Sequence, residues 1–311
     1  MYEHLAPVLY YFEIHLTYAS LVWLAAWLVT SLMRGSATVK YWIWVATSLN
    51  FIVPVGAVID RAASSHLGFA RPLETLGAAG ARVAASVPVS ATLFAIWVLG
   101  TALMLVRLGL RIRAERAELP GTRGTLKPAD GLPLHGVPVM LAGSGQIPAV
   151  DGVLRPHIVL PSGIDRLLSK RELKAVLLHE LTHARRRDNL IRLLHELALA
   201  LLWFHPLLWA TGLRLALFRE LSCDEAVIRD DHGRELVTAL AKLAAPAQMP
   251  LLRATATSFM SRRLSLLSGG EPSRPRRAAS VILALLFGSA LLAGVWETVA
   301  HTACCFVART L

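Results

Sequence analysis

Four long apolar runs divide the chain before any motif is considered. They are "IHLTYASLVWLAAWLVTSLM" at 14–33, "YWIWVATSLNFIVPVGAVI" at 41–59, "VPVSATLFAIWVLGTALMLV" at 87–106 and "AASVILALLFGSALLAGVW" at 278–296. Each holds the roughly 20 apolar residues that a helix needs to cross a hydrocarbon core, so the pattern predicts four transmembrane helices. Between the third and fourth lies a segment of mixed pattern, 107–277. Its part at 137–164 is rich in Val, Ile, Pro and Gly and reads as short strands joined by turns, Val137 to Leu141 and His157 to Leu160 first among them. From residue 170 onward a helical period takes over. The expectation is a mainly α, multi-pass membrane protein with an α+β domain inserted between the third and fourth spans.

A fifth apolar stretch, 197–213, is a weaker candidate for crossing. Its 17 residues make about 25 Å of helix, short of a hydrocarbon core of about 30 Å, and Pro206 interrupts it. It reads instead as two antiparallel helices, about 189–204 and 207–225, turning at His205–Pro206. The pair packs in the domain core or dips into the inner leaflet. His195 and His205 suit polar roles near that bend better than metal ligation.

Charge sets the orientation. Residues 34–40 carry Arg34 and Lys40 without an acid, whereas residues 1–13 carry Glu3 and Glu13 without a base. "RLGLRIRAER" after the third span and "SRRLSLLSGGEPSRPRR" before the fourth are strongly basic. By the positive-inside rule the 107–277 segment is cytoplasmic, while both termini, the 60–86 loop and the 297–311 tail are extracytoplasmic. Arg61, Arg71 and Arg82 in that loop run against the rule, partly offset by Asp60 and Glu74. The net charge of +11 and mean hydropathy of +0.52 therefore reflect spans and their flanks, and no direct nucleic-acid binding is expected. Three cysteines imply no disulfide framework. The span tryptophans, Trp23, Trp27, Trp42, Trp44 and Trp97, are expected as interfacial anchors or packing residues, and Glu13 and His15 as contacts at the outer edge of the first span.

The candidate chemistry lies in "LSKRELKAVLLHELTHARRRD". Ser169 and Glu172 have the spacing of a capping box, which starts a helix over about 170–187. At 100° per residue His179 and His183 stand one turn apart on one face, the spacing for two imidazoles on one metal. Glu180 beside them can reach a metal-bound water. A chain of this composition shows H-E-x-x-H by accident about 0.02 times. Catalytic zinc takes a third protein ligand and keeps an open position. "FRELSCDEAV" offers Glu220 as that ligand and Asp224, on the same face, as acceptor for the distal nitrogen of a ligating histidine. Glu225 is held in reserve, His157 is a weak ligand candidate, and Cys223 reads as packing beside the site. Arg185, Arg186 and Arg187 suit the helix C-terminus and an anionic leaflet, with Asp188 as a partner of one of them or a cap for the next helix. An edge strand of the 137–164 region would hold an extended substrate or merely cap the helix.

With these residues in place, "HELTHARRRDN", "LLWFHPLLW", "RELSCDEAV" and the insertion of a cytoplasmic domain between a third and a fourth span resemble the BlaR/MecR-type family of bacterial membrane zinc metallopeptidases. The resemblance implies a gluzincin-like site with one Zn²⁺ held by His179, His183 and Glu220, with Glu180 as general base. It further implies a place in the bacterial inner membrane and proteolysis of a cytoplasmic protein, in the signalling members a DNA-binding repressor. The beta-lactam-sensing members continue into an extracellular penicillin-binding domain; about a dozen residues follow the expected fourth span here, so beta-lactam sensing is not expected of this chain.

The lipid bilayer is then a partner by construction, and self-association stays open. Two other functions fit the pattern: a non-catalytic membrane signalling scaffold that retains the metal fold, and a housekeeping protease of the prenyl-protease type, which shares H-E-x-x-H and E-x-x-x-D. The intact Glu180 speaks against the scaffold, because a structural metal gains nothing from a base there.

Overall fold

The computed structural model describes residues 6–33, 35–53, 90–118, 127–128, 136–142, 148–244 and Arg263. The expected fourth span, the 60–86 loop, the linker before the last span, the tail with Cys304 and Cys305, and the side chain of Glu13 lie outside the described residues.

Three long helices come first: α1 (Ala6–Leu32), α2 (Ala37–Ile52) and α3 (Ser90–Glu118). α2 begins four residues before the apolar run that predicts it, because Ser36 caps it by accepting from the Thr38 N–H. α3 continues past the expected end at Val106 through residues 107–118. That basic stretch contains Arg, Leu, Ile, Ala and Glu, all compatible with a helix, and it finds partners: Arg111 pairs with Glu196 at 2.6 Å and Glu115 with Arg192 at 2.5 Å. α1 and α3 each contain a window long and apolar enough to cross a membrane, His15–Leu32 and Thr92–Glu115. Leu93, Phe94, Leu99 and Leu103 of α3 each expose more than half of their surface, which an apolar helix in the core of a soluble protein would not do.

A four-stranded sheet follows, with β1 (Lys127–Pro128), β2 (Val139–Ala142), β3 (Ala149–Asp151) and β4 (His157–Pro161) in the order β1-β2-β4-β3. β2 and β4 are parallel and the outer pairings antiparallel. The two strands expected from pattern are β2 and β4, within two residues at each end. β3, which pattern did not single out, joins β4 through a turn at Gly152, whose φ of +86° and lack of room for a Cβ, 2.5 Å from Arg155 O, both require glycine. His157 sits across from Asp151 in this hairpin, its Nε2 3.7 Å from the carboxylate.

The remaining described elements are helices: α4 (Ile164–Leu167), α5 (Lys170–Arg186), α6 (Asp188–Leu201), α7 (Pro206–Arg229) and α8 (Gly233–Ala244). The capping box at the start of α5 is present, with Glu172 accepting from the Ser169 N–H at 2.7 Å and Ser169 Oγ from the Glu172 N–H at 3.3 Å. Pro206 occupies the first turn of α7, where its missing N–H costs nothing. The chain therefore reverses between α6 and α7 as expected, and the 197–213 stretch is not one continuous helix. His195 bonds Ser48 Oγ at 2.9 Å, and His205 lies 3.3 Å from Ser20 Oγ with its ring edge-on to Phe51. Both serve as polar packing between helices.

α7 is the spine. Leu208, Thr211, Leu215, Phe218, Ser222 and Glu225 recur every three or four residues and are all buried, the period that keeps one helix face covered. α7 packs along α2 more extensively than any other pair of described elements meets. Tyr41, Ile43, Trp44 and Val45 of α2 join Leu215, Leu217, Phe218 and Leu221 in one apolar cluster. At the far end Val227 enters a second cluster with Ile158 and Leu160 of β4, Val176 and Leu181 of α5 and Leu236 of α8. The candidate site lies between the two, on the face of α7 that meets α5.

The turn between α6 and α7 reaches the apolar half of α3. Trp97 Nε1 donates to Leu201 O at 2.8 Å, and the indole of Trp203 fills the space where Gly100 would carry a Cβ. Gly100 stands seven residues before Arg107, about 10 Å along the helix. Among the tryptophans, Trp44 is wholly buried with Trp23 packed edge-on against it, while Trp27 and Trp42 are exposed, so packing and surface roles are both represented. His15 contacts Phe51 O of α2 at 3.2 Å, a helix-to-helix contact as expected.

Candidate metal centre

α5 carries His179 and His183 one turn apart, and their Nε2 atoms face each other at 3.2 Å. Glu220 of α7 meets both: Oε2 is 3.6 Å from His179 Nε2 and Oε1 is 3.8 Å from His183 Nε2. The structure thus brings together the three residues that spacing selected. Glu180 shares with them a cleft of about 290 Å³, whose walls also include Val150, Asn189, Arg219 and Arg263.

Behind each imidazole stands a carboxylate. Asp224, fully buried, places Oδ1 3.2 Å from His179 Nδ1, an approach too oblique for a directed hydrogen bond and so mainly electrostatic. Asp188 receives His183 Nδ1–H on Oδ2 at 2.6 Å. A carboxylate on one ring nitrogen fixes the tautomer that leaves the other free to ligate. Asp224 stands beside the expected nitrogen of His179, in ion-pair range and without the directed hydrogen bond that spacing suggested. Asp188, expected as an arginine partner or helix cap, does more than either.

Sequence periodicity could not have found Asp188. Five residues along a straight helix put it 140° round from His183, on the wrong face. Arg187 resolves this: it adopts φ 54°, ψ 47°, the left-handed conformation that ends a helix, and its N–H bonds back to Ala184 O and His183 O. α6 starts at once, with Asp188 folded under His183. Of the three arginines only Arg185 and Arg187 are exposed. Arg186 turns inward, donating to Asp188 Oδ2 at 2.6 Å, to Arg219 O at 3.2 Å and to Ser222 Oγ.

Arg263 is the second residue that sequence reasoning missed, since it sits in a stretch read as the basic flank of the last span. It is buried and forks onto Asp224, with both bonds at 2.8 Å, and its Nη1 lies 3.6 Å from Glu220 Oε2. Glu225, held in reserve as a ligand, points the other way. Its Oε2 accepts from Ser36 Oγ at 2.8 Å and from the N–H and hydroxyl of Thr38 at 3.0 Å each. Cys223 lies within ligand reach of both histidines, but its Sγ is 3.5 Å from His183 Nδ1, the nitrogen that Asp188 already holds. It is packed behind the ring, and burial pushes its thiol well up.

The electrostatics separate the carboxylates. Burial raises the carboxyl of Glu180 above the ordinary range, with His179 and His183 pulling the other way. For Glu220 burial acts in the same direction, but the two histidines prevail and hold it well below that range. Asp224 is lowered too, His179 and Arg263 outweighing its burial. Burial would lower His179, but Asp224 and Glu220 carry it up to about 9. A neighbouring pair of carboxyls pushed apart in this way assigns the lowered one to stay charged and the raised one to exchange protons.

These donors fit a zinc ion. Two ligands at 2.0–2.1 Å in a tetrahedron stand about 3.3 Å apart, close to the separation of the two Nε2 atoms. Two imidazoles with one carboxylate are a catalytic donor set that leaves a fourth position open.

A family model described as BlaR1 peptidase M56 matches residues 10–267, most of the 311-residue chain. The chain belongs to the M56 peptidase family. Among its curated M56-type relatives is the regulatory protein BlaR1 of Bacillus licheniformis, 35% identical over 155 residues, 45% of this chain and 25% of that protein. The methicillin resistance mecR1 protein of Staphylococcus aureus is 28% identical over 82 residues, 26% of this chain and 14% of that protein. The matched stretches span a quarter or less of those relatives' length. M56 membership makes the chain a member of a metallopeptidase family and supports its kinship with membrane signalling proteins of the BlaR/MecR type.

Proposed function

We propose that this chain is a membrane-embedded, zinc-dependent endopeptidase that cleaves a cytoplasmic protein in signal transduction, with a transcriptional repressor as the leading substrate class. One observation carries the reading: two histidine Nε2 atoms converge with Glu220 while a carboxylate stands behind each ring. A purely structural site has no use for Glu180 beside it. His179, His183 and Glu220 are the proposed ligands, with Asp224 and Asp188 orienting the two imidazoles.

Zinc in this position would polarise the scissile carbonyl and acidify water. Glu180, its carboxyl raised by burial, accepts the proton of the attacking water and passes it to the leaving amine. Pro148, Ala149 and Val150 of the β3 region line the cleft, so an extended substrate would lie along the sheet edge. Asn189 already donates to Val150 O and Gly152 O, which shortens the edge left for it.

The bilayer enters through α3, whose exposed apolar surface needs lipid, and through the α6–α7 turn packed against its apolar half. On this reading the site lies on the cytoplasmic side near the membrane, in a domain inserted between the third and fourth of four spans, with both chain termini extracytoplasmic. The test compares wild type with Glu180→Gln in membranes. A cytoplasmic protein shortened only by the wild type, with zinc bound equally by both, supports the reading. Identical proteomes with zinc bound would leave a scaffold.

A further inference from the structure

Tyr41 belongs to α2, a membrane-side helix remote in sequence from the H-E-x-x-H helix, and the reaction outlined above does not use it. Its side chain is nonetheless buried at the back of the site. The phenol donates to Asp188 Oδ1 at 2.7 Å, and Asp188 Oδ2 holds His183 Nδ1 at 2.6 Å. The Arg186 guanidinium lies 4.5 Å over the Tyr41 ring while donating to the same Oδ2. Asp188 is 4% exposed, so its orientation is set by these three neighbours. Arg186 and His183 share one oxygen, and Tyr41 bonds the other. Without the hydroxyl, Oδ1 loses this donor in a buried place, and the carboxylate is no longer held from both sides.

We propose that Tyr41 is a positioning residue for His183, acting through Asp188, so that the second helix of the membrane hairpin sets the aim of one imidazole. The proposal rests on the reading of His179, His183 and Glu220 as zinc ligands. α2 also touches the other half of the site, because Ser36 and Thr38 at its start are bonded to Glu225, the neighbour of Asp224 along α7. The start of α2 is therefore tied to both orienting carboxylates, to Asp188 directly and to Asp224 through its chain neighbour.

The test uses the full chain in detergent or membranes, with Tyr41→Phe, which keeps the ring and its stacking on Arg186 and removes one oxygen. Zinc affinity is measured by chelator competition, and the visible spectrum of the Co²⁺-loaded protein reports ligand geometry. Tyr41→Phe is expected to weaken zinc binding by up to about tenfold, the lower end of what losing a ligand's direct outer partner, here Asp188, costs, and to shift the Co²⁺ bands. In an Asp188→Asn background it should add nothing, because the two residues act in series. Unchanged affinity and spectrum in Tyr41→Phe, or an equal loss in both backgrounds, overturns the proposal, and the second comparison holds even where the variant is less stable. His183→Ala separates the two readings. Zinc lost there but kept in Tyr41→Phe overturns only the role of Tyr41, whereas a wild type that binds no zinc overturns the metal site and this proposal with it.

Discussion

Glu225 of α7 closes the N-terminus of α2: its carboxylate accepts from the backbone N–H of Thr38 at 3.0 Å. The same N–H also reaches the Ser36 Oγ at 3.2 Å, so the carboxylate shares the cap with Ser36 and adds the favourable charge of an acid at a helix N-terminus. Glu225→Ala should therefore lower stability by about 1–2 kcal/mol and leave bound zinc unchanged. Metal analysis of the purified variant decides between the two roles, because a folded Glu225→Ala protein that has lost its zinc would restore this residue to the ligand set.

Arg263 and Asp224 form a forked pair away from water. Removing one member of a buried pair typically costs about 3–5 kcal/mol, since the other charge is left behind. Arg263→Ala is expected to show that loss in denaturant unfolding and to weaken zinc binding, with Asp224 no longer fixed behind His179. Arg263→Lys should recover part of the stability but not the forked geometry. Wild-type stability in Arg263→Ala would mean that the pair contributes nothing net.

The left-handed turn at Arg187 offers a backbone test. A side chain in that conformation costs roughly 1–2 kcal/mol that glycine avoids. Arg187→Gly should thus keep both activity and fold, whereas Arg187→Val, β-branched and least tolerant of positive φ, should reduce both by displacing Asp188 from His183. The comparison needs only a cleavage assay and a melting curve for each variant. Equal behaviour of the two variants would contradict the role assigned to this turn.

A pH experiment follows from Glu172, whose carboxyl is held below the ordinary value of 4.5, first by the Lys242 ammonium and then by the Ser169 N–H. The folded value is the lower one, so the stabilisation is fully present above the ordinary value and is lost as pH falls through the folded value. The melting difference between wild type and Glu172→Gln should be constant from neutrality down to about pH 5 and shrink below it. A difference unchanged at pH 3 would rule out this ion pair and cap as its source.

Local rules reached a definite depth in this chain. The i, i+4 histidines, the capping box and the Pro206 reversal follow from single-helix geometry, and excluding a fifth crossing put Glu220 beside His179. Asp188 escaped because one non-glycine residue in a left-handed conformation changes which face it occupies. Arg263 escaped because a buried arginine is indistinguishable in sequence from the other arginines of a basic segment. Glu225 was ambiguous on a helical wheel, and only the start of α2 shows what it serves. The tie between α2 and Asp188 joins residues 147 positions apart, beyond the reach of any periodicity.

The apolar stripe of α7 has a consequence for heredity. Leu215, Phe218 and Leu221 find their cover in Ile43, Trp44 and Val45, so the histidine-bearing half does not carry its own finished surface. Severed downstream of α2, it would present that stripe bare and invite aggregation. α2 and the histidine-bearing half must then pass down as one cassette. A recombination junction falling between residues 53 and 188 would be viable only if the incoming helix met the same ridge.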